Sequence, residues 1–460
     1  MSEGPLRLLL DARATRRQGA EAIAQRQRSR LADMITYARA RSPYYRNLYQ
    51  GIPELVTDPA LLPVTGKSVL MTHFDEWVTD PDVTLSGTQE FIGDPSRVGT
   101  KFLGRYNVAT TSGTTGTRGI FLLDSRSLAV TRALTWRMLS TWLSPAAALP
   151  IIARRGRIAM VIATGGHFAS ATAAAALRKS PAGRALVSVV PVHTPLPELV
   201  ERLNSIRPAI LAPYASTGRL LASEQEAGRL HINPALVILS AEGLPDEDYG
   251  RIATAFGGTV GQSYAATECP FLSYSCHHGW LHVNSDWVIV EPVDANHRPV
   301  RPGEQSHTVL LSNLANRVQP ILRYDLGDSV LARPDPCPCG DPLPAIRVQG
   351  RTADMLTFTN EAGAPVTITP LTFSTLLDRI PGLAQGQIVQ TGPESLDLRL
   401  RAAACADPDT LWQSARTQIT GLLTTQGLPN VSVRRDQQPP RLSPGGKLRT
   451  VIPHGSEQGT

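Results

Sequence analysis

The sequence predicts an α/β fold: a large N-terminal domain built on a doubly wound parallel sheet with a β-rich subdomain, then a small, mobile α+β lid. Three observations predict it. Between Arg157 and Ser240 short apolar, branched runs alternate with helix-length segments, the pattern of βαβ units whose parallel strands are buried on both faces. After Gly258 the texture changes to shorter, turn-punctuated strands, and about a hundred residues still follow Gly350-Arg351, enough for a separate unit.

Length and composition support this division. A chain of 460 residues suffices for two or three domains, and a hydrophobic share of 42% supplies ample core. The expected boundaries are 1–350 for the large domain, with its β-rich part at about 259–350, and 351–460 for the lid.

In chain order, the first fifty residues, rich in Ala, Arg and Gln, read as helix ending near Ser42-Pro43. Gly66-Lys67-Ser68 looks like the end of a Walker loop, but position 61 is Leu61 rather than the required glycine, so the motif is set aside. The stretch Ala109-Thr110-Thr111-Ser112-Gly113-Thr114-Thr115-Gly116-Thr117-Arg118-Gly119 lies between hydrophobic flanks. Its hydroxyls can donate to phosphate oxygens, and its glycines let backbone N–H groups approach an anion. Composition alone fits a surface turn; the company downstream points elsewhere.

The alternating region predicts strands at 158–163, 185–190, 209–211 and 236–239, with helices at 168–179, 197–206 and 217–230. Open α/β sheets bind ligands beyond the carboxyl ends of their strands. Gly165, Gly166 and His167 follow one strand directly, and Ser240, Ala241, Glu242 and Gly243 follow another. Gly165, Gly166, His167 and Tyr214 are the candidates for a substrate pocket. Strands at 287–290 and 308–311 belong to the β-rich part.

A net charge of +6, with a sequence pI of about 9.2, suits a polyanionic small molecule. Nucleic acid is not expected, because no basic cluster is interleaved with aromatics and only 5% of residues are aromatic. Leu8-Leu9-Leu10 is too short for an export signal and is followed by Asp11 and Arg13. No apolar run approaches the roughly 20 residues that span a membrane. Five cysteines, Cys269, Cys276, Cys337, Cys339 and Cys405, make an odd number without a disulfide pattern, so a reducing cytoplasm is expected. There is no internal repeat, and residues 455–460 are expected to be disordered.

Five motifs in order carry a resemblance. Thr111 to Gly116 (T-S-G-T-T-G) resembles the phosphate-gripping loop of the adenylate-forming, or acyl-CoA synthetase, superfamily, whose members join a carboxylic acid to AMP. Ser263-Tyr264-Ala265-Ala266-Thr267-Glu268 resembles its Y-G-x-T-E segment, and Arg323-Tyr324-Asp325-Leu326-Gly327-Asp328 its Y-R-T-G-D segment. Gly350-Arg351-Thr352-Ala353-Asp354 resembles the G-R-x-D-D hinge, and Gly446-Lys447-Leu448-Arg449 the C-terminal lysine segment. Ser42-Pro43-Tyr44-Tyr45-Arg46 and Leu62-Pro63-Val64-Thr65-Gly66-Lys67 are similar to the phenylacetate–CoA ligase branch. That branch likeness covers about residues 30–355 well and the last hundred poorly. Arg118 stands where the superfamily usually has lysine, and Ala353 where the hinge residue is expected.

The resemblance implies an AMP-forming acid–thiol ligase that makes an acyl-adenylate and then an acyl-CoA thioester, with an aromatic acid as one candidate. Attack of a carboxylate on the α-phosphate of ATP concentrates negative charge and needs cations, a metal and pre-aimed donors. Thr111, Ser112, Gly113, Thr114, Thr115 and Gly116 would grip phosphate, with Ala241, Glu242 and Gly243 also at the nucleotide. Glu268 would hold Mg²⁺ as a hard oxygen ligand, and Thr267 would donate to the α-phosphate. Tyr264 would stack on adenine, Asp328 would accept from the ribose hydroxyls, and Arg351 would contact the nucleotide from the hinge. Other acceptors are a carrier protein or an amine, and the activated group could be another oxyanion. A nucleotide-binding regulatory homologue without activity is a second alternative, and a homodimer is a candidate assembly.

Lys447 has its own argument. The chain holds four lysines, Lys67, Lys101, Lys179 and Lys447, against 41 arginines. A site needing only positive charge would here almost always be arginine. A compact ammonium reaches a crowded carboxylate–phosphate junction where a planar guanidinium does not fit, so lysine in Pro444-Gly445-Gly446-Lys447 points to catalysis. Separately, Cys276 and His282 form C-x5-H, while Cys337-Pro338-Cys339-Gly340 is a tight C-x-C turn. Together they suit a closed, structural zinc site, with His277 or His278 as alternatives to His282.

Overall fold

The computed structural model describes residues 4–111, 119–143, 145–164, 166–192, 194–240, 243–244, 246–351, 354–368, 370–378, 380–403, 406–442 and 448–455. The N-terminal arm is helical, as its composition predicts. Helices Pro5–Gln18 and Ala20–Arg41 break at Gly19, whose φ of 89° suits glycine. Ser42 then caps helix Pro43–Leu48 by accepting from the backbone N–H of Tyr45, with Pro43 at its first turn. Tyr45 is fully buried, and its hydroxyl donates to the carbonyl of Pro320 at 3.0 Å; the indole of Trp77 donates to the same oxygen at 2.7 Å. The N-terminal arm thus supports the strand that carries Tyr324.

A nine-stranded sheet forms the backbone of the molecule. Its strands lie in the order Asp328–Ala332, Ala345–Arg351, Leu281–Val283, Ser273–Ser275, Thr259–Tyr264, Leu236–Leu239, Ile210–Pro213, Ile158–Ile162 and Val187–Pro191. The last five are parallel, and the other joins are antiparallel. Residues 259–351 therefore extend the parallel sheet rather than stand apart from it. They also build most of a second sheet from Val288–Val293, Thr308–Asn313 and Ile321–Asp325, whose edge is completed by the two-residue strand Thr65–Gly66.

Local chemistry explains the boundaries. Helix Leu196–Ile206 buries Leu199, Val200 and Leu203 on one stripe and stops at Arg207, which is left-handed at φ 47°. Helix Ala215–Glu226 ends before Gly228, at φ 68°, earlier than its apolar pattern predicts. The strand expected from 185 begins at Val187, because Ser180 caps a short helix, Pro181–Leu186, that takes the two residues before it.

The C-terminal portion has its own core. A four-stranded sheet, Ser432–Asp436, Ser395–Ala402, Leu383–Gly392 and Val451–Ile452, packs with helices Pro370–Asp378 and Pro408–Thr425 around Phe358, Phe373, Ile388, Leu398, Ile419 and Val451. Among the described residues, no helix is long and apolar enough to cross a membrane. Of the tail expected to be disordered, 456–460 lies outside the described residues.

Candidate active site

Strand register assembles the site. Asp328 opens one strand and Arg351 closes its antiparallel neighbour, and the ladder sets the two directly opposite. Arg351 Nε lies 3.4 Å from Asp328 Oδ1, and the Asp328 charge holds the guanidinium firmly protonated. Tyr264, the last residue of Thr259–Tyr264, donates its hydroxyl to Asp328 Oδ2 at 2.6 Å. Burial, and then the Asp328 charge, push the Tyr264 phenol well up, so it stays a donor. Gly327 makes the turn possible: its φ of 72° suits glycine, and its N–H donates to Asp325 Oδ1 at 3.0 Å.

Glu268 is buried beside this pair. Its Oε1 accepts from the Tyr324 hydroxyl at 2.9 Å, and its carbonyl accepts from Asn313 Nδ2 at 3.1 Å. Burial pushes its carboxyl up; a backbone hydrogen bond, the Tyr324 hydroxyl and Arg351 pull it down, while Asp328 adds to the rise. Thr267 precedes it and is half-buried. Tyr264, Glu268, Asp328 and Arg351, predicted from separate motifs, thus form one cluster.

Lys67, which ends the Leu62–Lys67 segment, joins that cluster, although it belongs to no Walker loop. Strand Thr65–Gly66 runs parallel to Ile321–Asp325, with Thr65 opposite Tyr324, so helix Lys67–Thr72 starts beside the Glu268–Tyr324 pair. Burial pushes the Lys67 ammonium down, the Glu268 charge pulls it up, and Arg351 lowers it. The scarcity of lysine that singled out Lys447 applies equally to Lys67. Arg323 fastens this segment by donating to the carbonyl of Leu62 at 2.6 Å.

The Gly/Thr stretch is the connection of an antiparallel pair, Asn107–Thr110 with Ile120–Leu123. Thr111 closes the base: its N–H donates to the carbonyl of Gly119 at 3.0 Å, and its hydroxyl accepts from Gly119 N–H at 2.9 Å. His167 adjoins that base, because its carbonyl accepts from Thr110 N–H at 2.7 Å. The imidazole is buried, 5.3 Å from the Phe91 ring. Tyr214 follows Ile210–Pro213 and is buried; its hydroxyl accepts from Ala163 N–H at 3.1 Å and meets Ser170 Oγ at 3.1 Å. Gly166 lies against the Phe168 ring, and Gly243 is described beyond the Leu236–Leu239 strand. Ser112, Gly113, Thr114, Thr115, Gly116, Gly165, Ala241, Glu242, Ala353 and Lys447 lie outside the described residues. Lys447 falls between Leu442 and Leu448, which bridge one another, and the neighbouring Arg449 pairs with Asp354 at 2.5 Å.

A second cluster joins Cys276, His282, Cys337 and Cys339, whose sulfur and ring-nitrogen atoms all lie within 4.8 Å of one another.

No protein-family model and no curated protein matches the chain. Solved structures do. A 2-hydroxyisobutyryl-CoA ligase in the postadenylation state, in complex with 2-HIB-AMP, superposes with a TM-score of 0.66 at 21% identity, over 95% of this chain and 90% of that one. The anthranilate CoA ligase AuaEII in complex with anthranoyl-AMP gives 0.53 at 14% identity, over 74% of this chain and 64% of that one. ATP-bound MatB from Rhodopseudomonas palustris gives 0.50 at 15% identity, over 74% and 66%. In architecture and in these superpositions, the chain has the fold of the adenylate-forming enzymes.

Proposed function

We propose that this chain is an ATP-dependent, AMP-forming carboxylate ligase. A carboxylate oxygen attacks the α-phosphorus of ATP and pyrophosphate leaves; the thiol of CoA then attacks the acyl carbon and AMP leaves. The observation that carries this reading is the cluster of Tyr264, Glu268, Asp328 and Arg351, four residues from three motifs, within the fold of acyl-CoA ligases.

Each residue has a task its surroundings suit. Asp328, fixed by a phenol and a guanidinium, accepts from the ribose hydroxyls, and Tyr264 offers its ring to adenine. Arg351 contacts the nucleotide, Thr267 donates to the α-phosphate, and Thr111 to Gly116 hold the outgoing phosphates. A buried carboxyl whose charge is disfavoured, as at Glu268, is matched to a divalent cation. Mg²⁺ held there would supply charge neutralisation at the phosphates, and Lys67 adds positive charge beside Glu268. Lys447 meets the charge that develops at the carboxylate–phosphate junction.

Residues 351–460 form the lid, pivoting near Gly350-Arg351; its closure excludes water from the reactive adenylate. His167, Tyr214 and Gly166 follow parallel strands of the sheet and would border the acid pocket expected beyond such strand ends. The branch is that of phenylacetate–CoA ligase, an aromatic acid is the first class to try, and the site of action is the cytoplasm. Zn²⁺ enters this reading only as a structural ion at Cys276, His282, Cys337 and Cys339. The test is a screen of carboxylic acids for pyrophosphate release, run with and without CoA. One acid should release pyrophosphate alone and turn over rapidly only with CoA; release from an acid that needs an amine or a carrier protein instead would reassign the acceptor.

A further inference from the structure

The antiparallel half of the large sheet brings three thiols and an imidazole together from three places in the chain. Cys276 follows strand Ser273–Ser275, His282 sits within Leu281–Val283, and Cys337 and Cys339 lie in the turn before Ala345–Arg351. Cys276 Sγ is 3.7 Å from Cys337 Sγ, and Cys339 Sγ is 3.2 Å from His282 Nε2. A tetrahedral zinc with Zn–S bonds of about 2.3 Å and Zn–N of about 2.0–2.1 Å has ligand–ligand edges of roughly 3.5–3.8 Å. The Sγ–Sγ separation falls within that range, and the Sγ–Nε2 separation lies a few tenths of an ångström below it.

The supporting groups are arranged as a metal site needs. His282 Nδ1 lies 2.9 Å from the carbonyl of Leu343; a proton held there leaves Nε2 to ligate, the usual outer-shell device for a metal-bound histidine. Cys276 and Cys337 open matching turns. Gly279 N–H donates to the carbonyl of Cys276 at 3.0 Å, and Gly340 N–H to that of Cys337 at 3.0 Å, with φ of 73° and 78°. Asp341 N–H donates to Cys339 Sγ at 3.5 Å. The Asp341 carboxylate is buried; it accepts from the Tyr274 hydroxyl at 2.8 Å and pairs with Arg16 at 2.9 Å.

We infer that Cys276, His282, Cys337 and Cys339 hold one structural Zn²⁺ in a closed Cys₃His site, and that Asp341, braced by Tyr274 and Arg16, positions the Cys337–Cys339 turn to form it. Soft thiolates with an imidazole in a tetrahedral set select zinc over the hard cations of a phosphate site. Four protein ligands leave no position for a substrate, so the ion fastens the hairpin to the turn that feeds the Ala345–Arg351 strand. The inference does not depend on the ligase reading.

The test uses the full chain purified without chelator. Elemental analysis should give about one zinc per chain, and X-ray absorption should give a shell of three sulfurs and one nitrogen. Cys337→Ser should lose the metal. Asp341→Ala, which keeps all four ligands, should bind zinc roughly 10–100-fold more weakly in competition with a chromogenic chelator, as losses of outer-shell partners do. Metal-free wild-type protein, a Cys276–Cys337 disulfide found by mass spectrometry, or an oxygen-rich shell would overturn the site. Unchanged zinc affinity in Asp341→Ala would remove Asp341 from its positioning role.

Discussion

At the scale of single residues, Asp328 and Glu268 do different things in similar burial. Asp328 is held by Tyr264 and Arg351, and on the proposed reading its loss removes a charged acceptor from the nucleotide's sugar. A hydrogen bond to a charged group is worth about 1.5–3 kcal/mol, so Asp328→Ala should raise the KM for ATP roughly 10–100-fold. Glu268→Ala should abolish Mg²⁺-dependent turnover. Steady-state kinetics over ATP and Mg²⁺ check both, and wild-type values in both variants would remove the pair from the nucleotide site.

Glu268 also predicts a pH dependence. Its carboxyl is pushed up in the folded protein, first by burial, so the folded state holds a proton that the unfolded state releases near the ordinary value of about 4.3. The stability this group contributes is complete below that value and is lost as pH rises through its raised folded value. Glu268→Gln should flatten the decline, read from denaturant unfolding across pH; parallel curves for the two proteins would contradict the burial argument.

At the scale of elements, the join after the Ala345–Arg351 strand matters most. Gly350 has φ 125°, and a Cβ placed there would lie 3.1 Å from Pro370 Cγ at the start of helix Pro370–Asp378. Gly350→Ala should therefore cost about 1–3 kcal/mol of stability, visible as a lower Tm; an unchanged Tm would mean the join relaxes freely. The lysine segment belongs to the same scale. On the proposed reading Lys447 acts on charge that develops during attack, and one lost charge-stabilising contact is worth roughly 10²–10³-fold. Lys447→Ala should slow pyrophosphate exchange by that factor and leave thioester formation from synthetic acyl-AMP near normal. Lys447→Arg should rescue poorly, because a planar guanidinium is a poor fit. Equal damage to both half-reactions would mean that Lys447 only holds the lid together.

At the scale of the whole molecule, what was legible in the sequence was local. The Leu236–Leu239 strand lies where its apolar run predicts, since a buried parallel strand writes itself as consecutive branched residues. The motifs at 263–268 and 323–328 named Tyr264, Glu268 and Asp328 because their chemistry travels with short spacing. The place of Lys67 beside Glu268 was not legible, because it depends on Thr65 meeting the Tyr324 strand, a contact whose hydrogen bond to Leu322 spans 257 positions. The continuity of the nine-stranded sheet was hidden for the same reason. The change from parallel to antiparallel pairing alters the strand texture, and nothing local says that both textures share one sheet.

The central claim is that the acid is joined to AMP before it is passed on. The most direct measurement follows heavy oxygen from a labelled carboxylate through complete turnover with ATP and CoA. Attack on the α-phosphorus leaves one labelled oxygen in the AMP released, and this is the predicted result. Label in inorganic phosphate, with ADP as the nucleotide product, would contradict it.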